Sequence, residues 1–266
     1  MPKFAGVSSL LISVLDYFTD RPLGLRLRLN HNFRSHEDIV HIVSDLFYES
    51  LLVPDPNSTI ANPAADPIAF GVQVALPTMS WGIFRPHVNR WCFFNVNSHC
   101  VTEEGGTSQA NPGGINAIAT SVRGLLQYVP ASEIAVVSIY RFDRDKMQKA
   151  LKAVSIRNVE CGTVDSFEGQ EKSIIILHFV ATGGPDNPFG FVRDKLRLCV
   201  GLSRSMRYLF MFGNLTYWNA HKANWSRRKN LRYMKQLIET VDDRNGPIAR
   251  VQYPANKIID ELAANP

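Results

Sequence analysis

Apolar positions recur along the chain with two alternating periods. Leu10, Leu11, Val14, Leu15 and Phe18 share one helical face, which predicts a helix over residues 8–19. Leu25, Leu27 and Leu29 alternate with Arg26 and Arg28, the period of a short strand over residues 25–29. Ile39, Ile42, Val43, Leu46 and Phe47 return to helical spacing and predict a helix over residues 36–51. Ser35 is its expected N-cap, with Asp38 three residues on. Residues 53–82 are rich in Pro, Asn and Asp and carry no clear period, so they predict a partly irregular surface excursion. A strand follows over residues 90–96, then a polar loop over 102–114. From Ile115 a helix is predicted with Ile118, Val122, Leu125 and Leu126 on one face. Residues 133–140 read as a buried strand, and residues 142–154 as a helix through Met147, Ala150 and Leu151.

The most informative stretch is CGTVDSFEGQEKSIIILHFV, residues 161–180. It reads as a strand, a tight polar connection and a second strand. Ile174, Ile175, Ile176 and Leu177 form an unbroken apolar run, as in a strand buried on both faces of a parallel sheet. Thr163, Asp165, Ser166, Glu168, Gly169, Gln170, Glu171 and Lys172 fill the connection. A polar cluster after a strand's carboxyl end is where parallel sheets place working residues, although a plain polar loop with a turn glycine has the same spacing. Gly183 to Pro188 predict a loop, and residues 208–212 a short strand ended by Gly213. Strands near 90, 133, 158, 173 and 208, with helices between, predict an α/β fold with a parallel sheet. Residues 217–241 predict a helical extension made basic by Arg227, Arg228, Lys229 and Arg232, most simply a solvated face. Beyond it lies a loosely held tail.

Composition narrows this picture modestly. The chain has 266 residues with 45% apolar content, enough for one sizeable core or two small ones. No run of 18 apolar residues exists, so no membrane partner is expected. Ser8, Ser9, Ser13 and Asp16 interrupt the apolar stretch near the start, which argues against a signal peptide. Four cysteines without CxxC spacing argue against a zinc site and fit a reducing cytoplasm or nucleus. A net charge of +5 is mildly permissive for a polyanionic partner.

Three segments carry a family resemblance. TVDSFEGQE, from Thr163 to Glu171, resembles motif V of superfamily 1 helicases, usually TVDxFQGxE. LCVGLSRSMRYLFMFGN, residues 198–214, resembles motif VI, usually NVALTRAR followed by a strand. NFRSH, residues 32–36, resembles the NYRSH or QYRMH segment. They occur in family order and spacing, and the resemblance covers the chain from about Ser8 to Asn214. Ser108 and Asn111 resemble the S-x-x-N element of the family, and SIYRFD, residues 138–143, its TPYxxQ segment. The chain looks most like the branch with the Dna2/NAM7-type and RNA-decay helicases.

That resemblance implies a RecA-like parallel sheet flanked by helices over residues 1–216, the second helicase domain. Residues 217–266 are then a basic helical extension and loose tail. It also implies roles. Arg34 and Arg204 match the two arginines that reach ATP held by the first domain, a task suited to a planar, always protonated fork. Phe33 matches the aromatic that stacks on the base, Glu171 the ribose-binding glutamate, and Gly169 a close backbone approach. Thr163 matches the residue touching the nucleic-acid backbone, and Ser138 is a weaker match to that role. The connection before the helix at Arg34 suits phosphate, because backbone N–H groups and the helix dipole favour anions there. Both arginines are expected on one face at the carboxyl edge of the sheet. Simpler readings remain beside these: Arg34 paired with Glu37, and Arg204 with Asp194.

The departures are specific. Phe33 replaces Tyr, Glu168 replaces Gln and Ser173 replaces Asp. Cys199, Gly201, Ser203 and Met206 replace Asn, Ala, Thr and Arg of motif VI. Ser138, Ile139 and Asp143 stand for Thr, Pro and Gln. The sequence contains no G-x-x-x-x-G-K-[ST] run and no acidic pair after an apolar strand, so no metal ligands are expected in it. ATP and Mg²⁺ are therefore expected only with a chain supplying the first RecA-like domain, and this polypeptide alone is expected to hydrolyse none. The nucleic-acid partner is single-stranded RNA or DNA. Three functions fit: half of an ATP-dependent helicase, a stand-alone binding module derived from one, or an unrelated α/β fold with chance matches.

Overall fold

The computed structural model describes residues 29–56, 90–180, 190–221, 232–242 and 248–251, together with Ile60, Asp66, Ile68, Ala69 and Val72. The predicted helix over 8–19, most of the strand over 25–29, the loop at 183–188 and the basic run at 227–229 lie outside them. The chain divides into residues 1–30 and a unit of residues 31–266.

That larger unit opens with β1 (His31–Asn32), α1 (Glu37–Phe47) and β2 (Val53–Pro54). Next come β3 (Trp91–Val96), a small antiparallel pair β4 (Val101–Thr102) and β5 (Gln109–Ala110), and α2 (Pro112–Leu125). β6 (Ile134–Ser138), α3 (Arg141–Ala153), β7 (Glu160–Thr163) and β8 (Lys172–His178) follow. The chain continues through α4 (Lys195–Leu202), β9 (Ser205–Gly213), α5 (Leu215–Ala220), α6 (Arg232–Asp242) and β10 (Ile248–Val251). β1 and β2 pair separately from the main sheet, whose six strands run in the order β10-β3-β9-β8-β6-β7. All of its pairings are parallel. The α/β reading therefore holds. β10 also differs from expectation, since part of the tail adds an edge strand to β3.

Burial explains the strand order. Residues 174–177 of β8 are fully buried, between β6 and β9, with one side-chain layer on each face of the sheet. On one face Ile175 and Leu177 join α1, α4 and α6 through Ile39, Val43, Leu198, Met234 and Leu237. On the other Ile174 and Ile176 join α2 and α3 through Ile118, Val122, Met147 and Leu151. Burying such a side chain contributes roughly 1.5–3 kcal/mol, so these two layers dominate stability.

Two helix starts differ from the pattern. His36, not Ser35, caps α1: its Nδ1 accepts from the Asp38 N–H at 3.2 Å. Asn32 Oδ1 already accepts from the N–H groups of Arg34 and Ser35, and the Ser35 hydroxyl donates to the Ser205 carbonyl at 2.7 Å. The α1 helix also stops at Phe47, because Glu49 and Ser50 turn left-handed with φ of 56° and 59°. α2 begins at Pro112, ahead of Ile115, because Asn111 Oδ1 caps Gly114 N–H at 3.0 Å.

Candidate functional site

The matched residues fall on two opposite rims of the sheet. Glu171 directly precedes β8 and Arg204 directly precedes β9, and Lys172 is in register with Ser205. Both therefore lie at the amino ends of these parallel strands. The 31–36 segment is fastened to the same rim. His36 N–H donates to the Met206 carbonyl at 2.8 Å, and the Ser35 hydroxyl to that of Ser205. Arg34 Nε donates to Glu171 Oε2 at 2.7 Å and its Nη1 to the Ser203 carbonyl at 3.4 Å.

Arg204 stands beside this pair. Burial, and then the charge of Arg34, lowers its guanidinium pKa, opposed by the carboxylates of Glu168 and Glu171. Its Nε is buried without a hydrogen-bond partner among the described residues. An unsatisfied buried donor costs about 1–3 kcal/mol, so an arriving acceptor would relieve it. Asp194 does not reach it: that carboxylate caps α4 at Leu196 and Arg197 and bridges to Arg197. Arg34 likewise pairs with Glu171 rather than with Glu37.

Phe33 is 69% exposed, an unusually open position for a large apolar ring, with His31 as a ring neighbour at 6.4 Å. Gly169 has φ +81° with open space where a Cβ would project. Its backbone conformation needs glycine, and the space leaves room for an approaching group. Arg34, Arg204, Phe33, Gly169 and Glu171 thus gather on one rim. The edge differs from expectation: it is the amino edge. The motif residues lead into β8 and β9 rather than out of them, and in a parallel sheet entry and exit lie on opposite edges.

Thr163 ends β7 at the carboxyl rim, paired in register with Ser138 at the end of β6. It lines a cleft of about 360 Å³ with Thr107, Ser108, Tyr140, Arg141, Arg144 and Arg197. Three guanidinium groups and three hydroxyls of Thr or Ser suit a phosphodiester. Set against them are the Asp165 carboxylate, which also lines the cleft, and the Asp145 carboxylate 2.7 Å from Arg144 Nε. Arg197 is already engaged by Asp165 at 2.9 Å, a hydrogen bond that raises its pKa. Arg141 is exposed. Ser138 departs from its expected role. It is 1% exposed, and its hydroxyl donates to Asp143 Oδ2 at 2.8 Å, so it faces the interior and not a strand.

Sequence reasoning missed Tyr48, whose pKa the neighbouring Cys199 thiol and then burial raise, and which feels both Arg34 and Arg204. It also passed over Arg141 and Arg144. Their spacing at the start of a helix after a strand was the available signal.

A model of the AAA domain family matches residues 13–216 of the chain. The chain is 29% identical over 221 residues to the 5'-3' DNA helicase ZGRF1 of Mus musculus, covering 79% of the chain and 10% of that protein. It is 29% identical over 196 residues to the DNA replication ATP-dependent helicase/nuclease dna2 of Schizosaccharomyces pombe, covering 71% and 14%. It is 26% identical over 196 residues to the human RNA helicase Mov10l1, covering 70% and 15%. The chain thus spans between 10% and 15% of the length of these relatives. With the parallel sheet and the three motif segments in order, these matches place the chain in the AAA domain family, as a superfamily 1 helicase domain of the Dna2/NAM7-like kind.

Proposed function

We propose that this chain works as the second RecA-like half of an ATP-dependent helicase. In this reading its amino rim closes on ATP and Mg²⁺ held by a complementary first RecA-like domain. Its carboxyl rim grips single-stranded RNA or DNA. The observation that carries the proposal is the meeting of Arg34 and Glu171, 137 positions apart, beside Arg204, whose buried Nε has no hydrogen-bond partner among the described residues.

The rim fits the ligand. The side chains of Arg34 and Glu171 are 34% and 46% exposed, and such pairs contribute about 0–1 kcal/mol. The pair is therefore readily exchanged: Arg34 for phosphate oxygens, Glu171 for ribose hydroxyls. Arg204, short of an acceptor, takes a second phosphate oxygen. Phe33 stacks on the base, and Gly169 leaves space for the nucleotide. ATP supplies the free energy, while these residues bind, orient and neutralise its charge. On the other rim Thr163, with Arg141 and Arg144 beside it, contacts the strand backbone. Such contacts do not separate RNA from DNA, and helicases of both kinds are among the relatives.

The test supplies a first RecA-like domain from a relative in trans and measures ATP turnover. Arg204→Ala is expected to lower turnover on the order of 10³-fold. Turnover indifferent to Arg204 would remove the nucleotide role. The guanidinium-lined cleft on the carboxyl rim, which needs no nucleotide to form, favours a second reading, a binding module without a motor. Strand binding that ignores both ATP and Arg204→Ala would select it.

A further inference from the structure

A buried polar cluster lies directly under the carboxyl-rim cleft. Asp143, in the first turn of α3, is fully buried, and His178, at the end of β8, is 1% exposed. Asp143 Oδ1 accepts from the backbone N–H of Asn111 at 3.0 Å. Its Oδ2 accepts from the Ser138 hydroxyl at 2.8 Å and lies 2.8 Å from His178 Nδ1. A carboxylate only accepts, so His178 carries its proton on Nδ1. The other side of the imidazole rests on the start of α2: a Cβ built on Gly114 would fall 2.0 Å from His178 Nε2. The ring is thus held between a carboxylate and a bare stretch of helix backbone.

One carboxylate therefore ties together four elements: the β5–α2 junction, the end of β6, the first turn of α3 and the end of β8. The cleft shares two of these places, the end of β6 and the first turn of α3, and is completed by the β4–β5 turn, the end of β7 and Arg197 of α4. Ser138 Oγ also accepts from the Tyr140 N–H at 3.2 Å, and Ser108 Oγ from the Phe142 N–H at 3.1 Å. Thr163 sits in register beside Ser138. Burying a carboxylate carries a large desolvation cost, which an apolar side chain would avoid. Asp143 is hydrogen-bonded through both oxygens and is closed off from solvent, so its effect must pass through the residues it holds.

We propose that Asp143, clamped by His178, is the positioning residue of the strand-binding cleft, fixing Ser108, Tyr140, Arg141 and Thr163 in the spacing that receives a strand phosphate. This rests on the strand-binding half of the proposed function. It predicts that hydrogen-bond geometry matters and charge does not. Asparagine can keep every contact of Asp143: its oxygen accepts from Asn111, and its NH₂ donates to Ser138 Oγ and to the other His178 tautomer, with only the Ser138 hydroxyl proton losing its acceptor. Leucine can reproduce none.

The experiment uses the full chain and a fluorescent single-stranded oligothymidine, at a temperature where every variant is folded by circular dichroism. Asp143→Leu is expected to weaken binding tenfold or more, as misplacement of contacts by ångström-scale shifts does. Asp143→Asn should stay within about threefold of the parent, since the contacts to Asn111, Ser138 and His178 are kept in place. Amide exchange at Asn111 and Tyr140 should rise in the leucine variant and not in the asparagine one. A folded leucine variant with unchanged affinity overturns the proposal, as does an asparagine variant as weak as leucine. If the leucine variant does not fold, His178→Phe serves in its place: it removes the Nδ1 donor, and unchanged binding there overturns the proposal equally. A parent chain that binds no oligonucleotide defeats the proposed function instead. In that event exchange at Asn111 and Tyr140 still decides whether Asp143 positions the rim.

Discussion

At the residue scale, what the chain needed most was a partner for each charged group, and sequence named only some of them. Arg34, Phe33, Gly169, Glu171 and Arg204 were legible because their motifs are short and ordered. Their mutual geometry was not: nothing in local spacing tells that Arg34 prefers Glu171 to Glu37. Ser138 and Ser35 were misjudged for the same reason, since tertiary hydrogen bonds decided which hydroxyl was free to cap or contact. His36 offers a clean check. Burial lowers its pKa from 6.5, and its Nδ1 must stay unprotonated to cap α1. The unfolded chain then binds the proton more readily than the folded one. Stability from this group is full above pH 6.5 and falls as pH drops through 6.5 toward the lower folded value, then levels. Melting temperatures taken between neutral and mildly acid pH should decline more steeply in the parent than in His36→Asn, which keeps a capping oxygen without the titration. Cysteine reactivity gives a second check. Burial pushes the Cys161 thiol up to about 12 and also raises that of Cys199. Both should resist alkylation at mildly alkaline pH in the native protein and react once it is unfolded, as read by mass spectrometry of the modified peptides.

At the element scale, hydrophobic periodicity found α1, α2 and α3 and the central strands, but not α4, for which no helix was predicted. The element ends were harder, because they depend on single side chains. Asn111 shows why. Its Oδ1 caps α2, while its Nδ2 donates to the carbonyls of Ser98 and Val180 at 3.2 and 3.4 Å. One residue thus joins a helix start to the ends of two strands, and no sequence window contains all three. Asn111→Ala should cost about 2 kcal/mol, the upper end for a lost cap, because buried carbonyls also lose their donor. Urea denaturation would measure it, and a loss of a few tenths would mean that water replaces the amide freely. β10 was missed because four residues are too few to carry a period.

At the scale of the whole molecule, alternating strands and helices gave the parallel sheet, but not the order of its strands. Trp91 of β3 is in register with Leu209 of β9, so the centre of the sheet cannot form until distant parts of the chain meet. Loop closure over such separations is slow, and residues 174–177 stay uncovered meanwhile. Refolding yield should therefore fall as protein concentration rises, measured by recovered ellipticity after dilution from urea. A yield independent of concentration would contradict this. The edge on which the arginines gather was the largest misreading, because the usual rule for open parallel sheets points to the carboxyl ends of strands. Here one covalent segment, from Thr163 at the exit of β7 to Glu171 at the entry of β8, reaches both edges. If nucleotide moves one end of that segment, the other end cannot be indifferent. Under the proposed function, any free energy by which ATP alters strand affinity equals that by which the strand alters ATP affinity. Each ligand becomes a gauge of the other, and two titrations should return the same ratio.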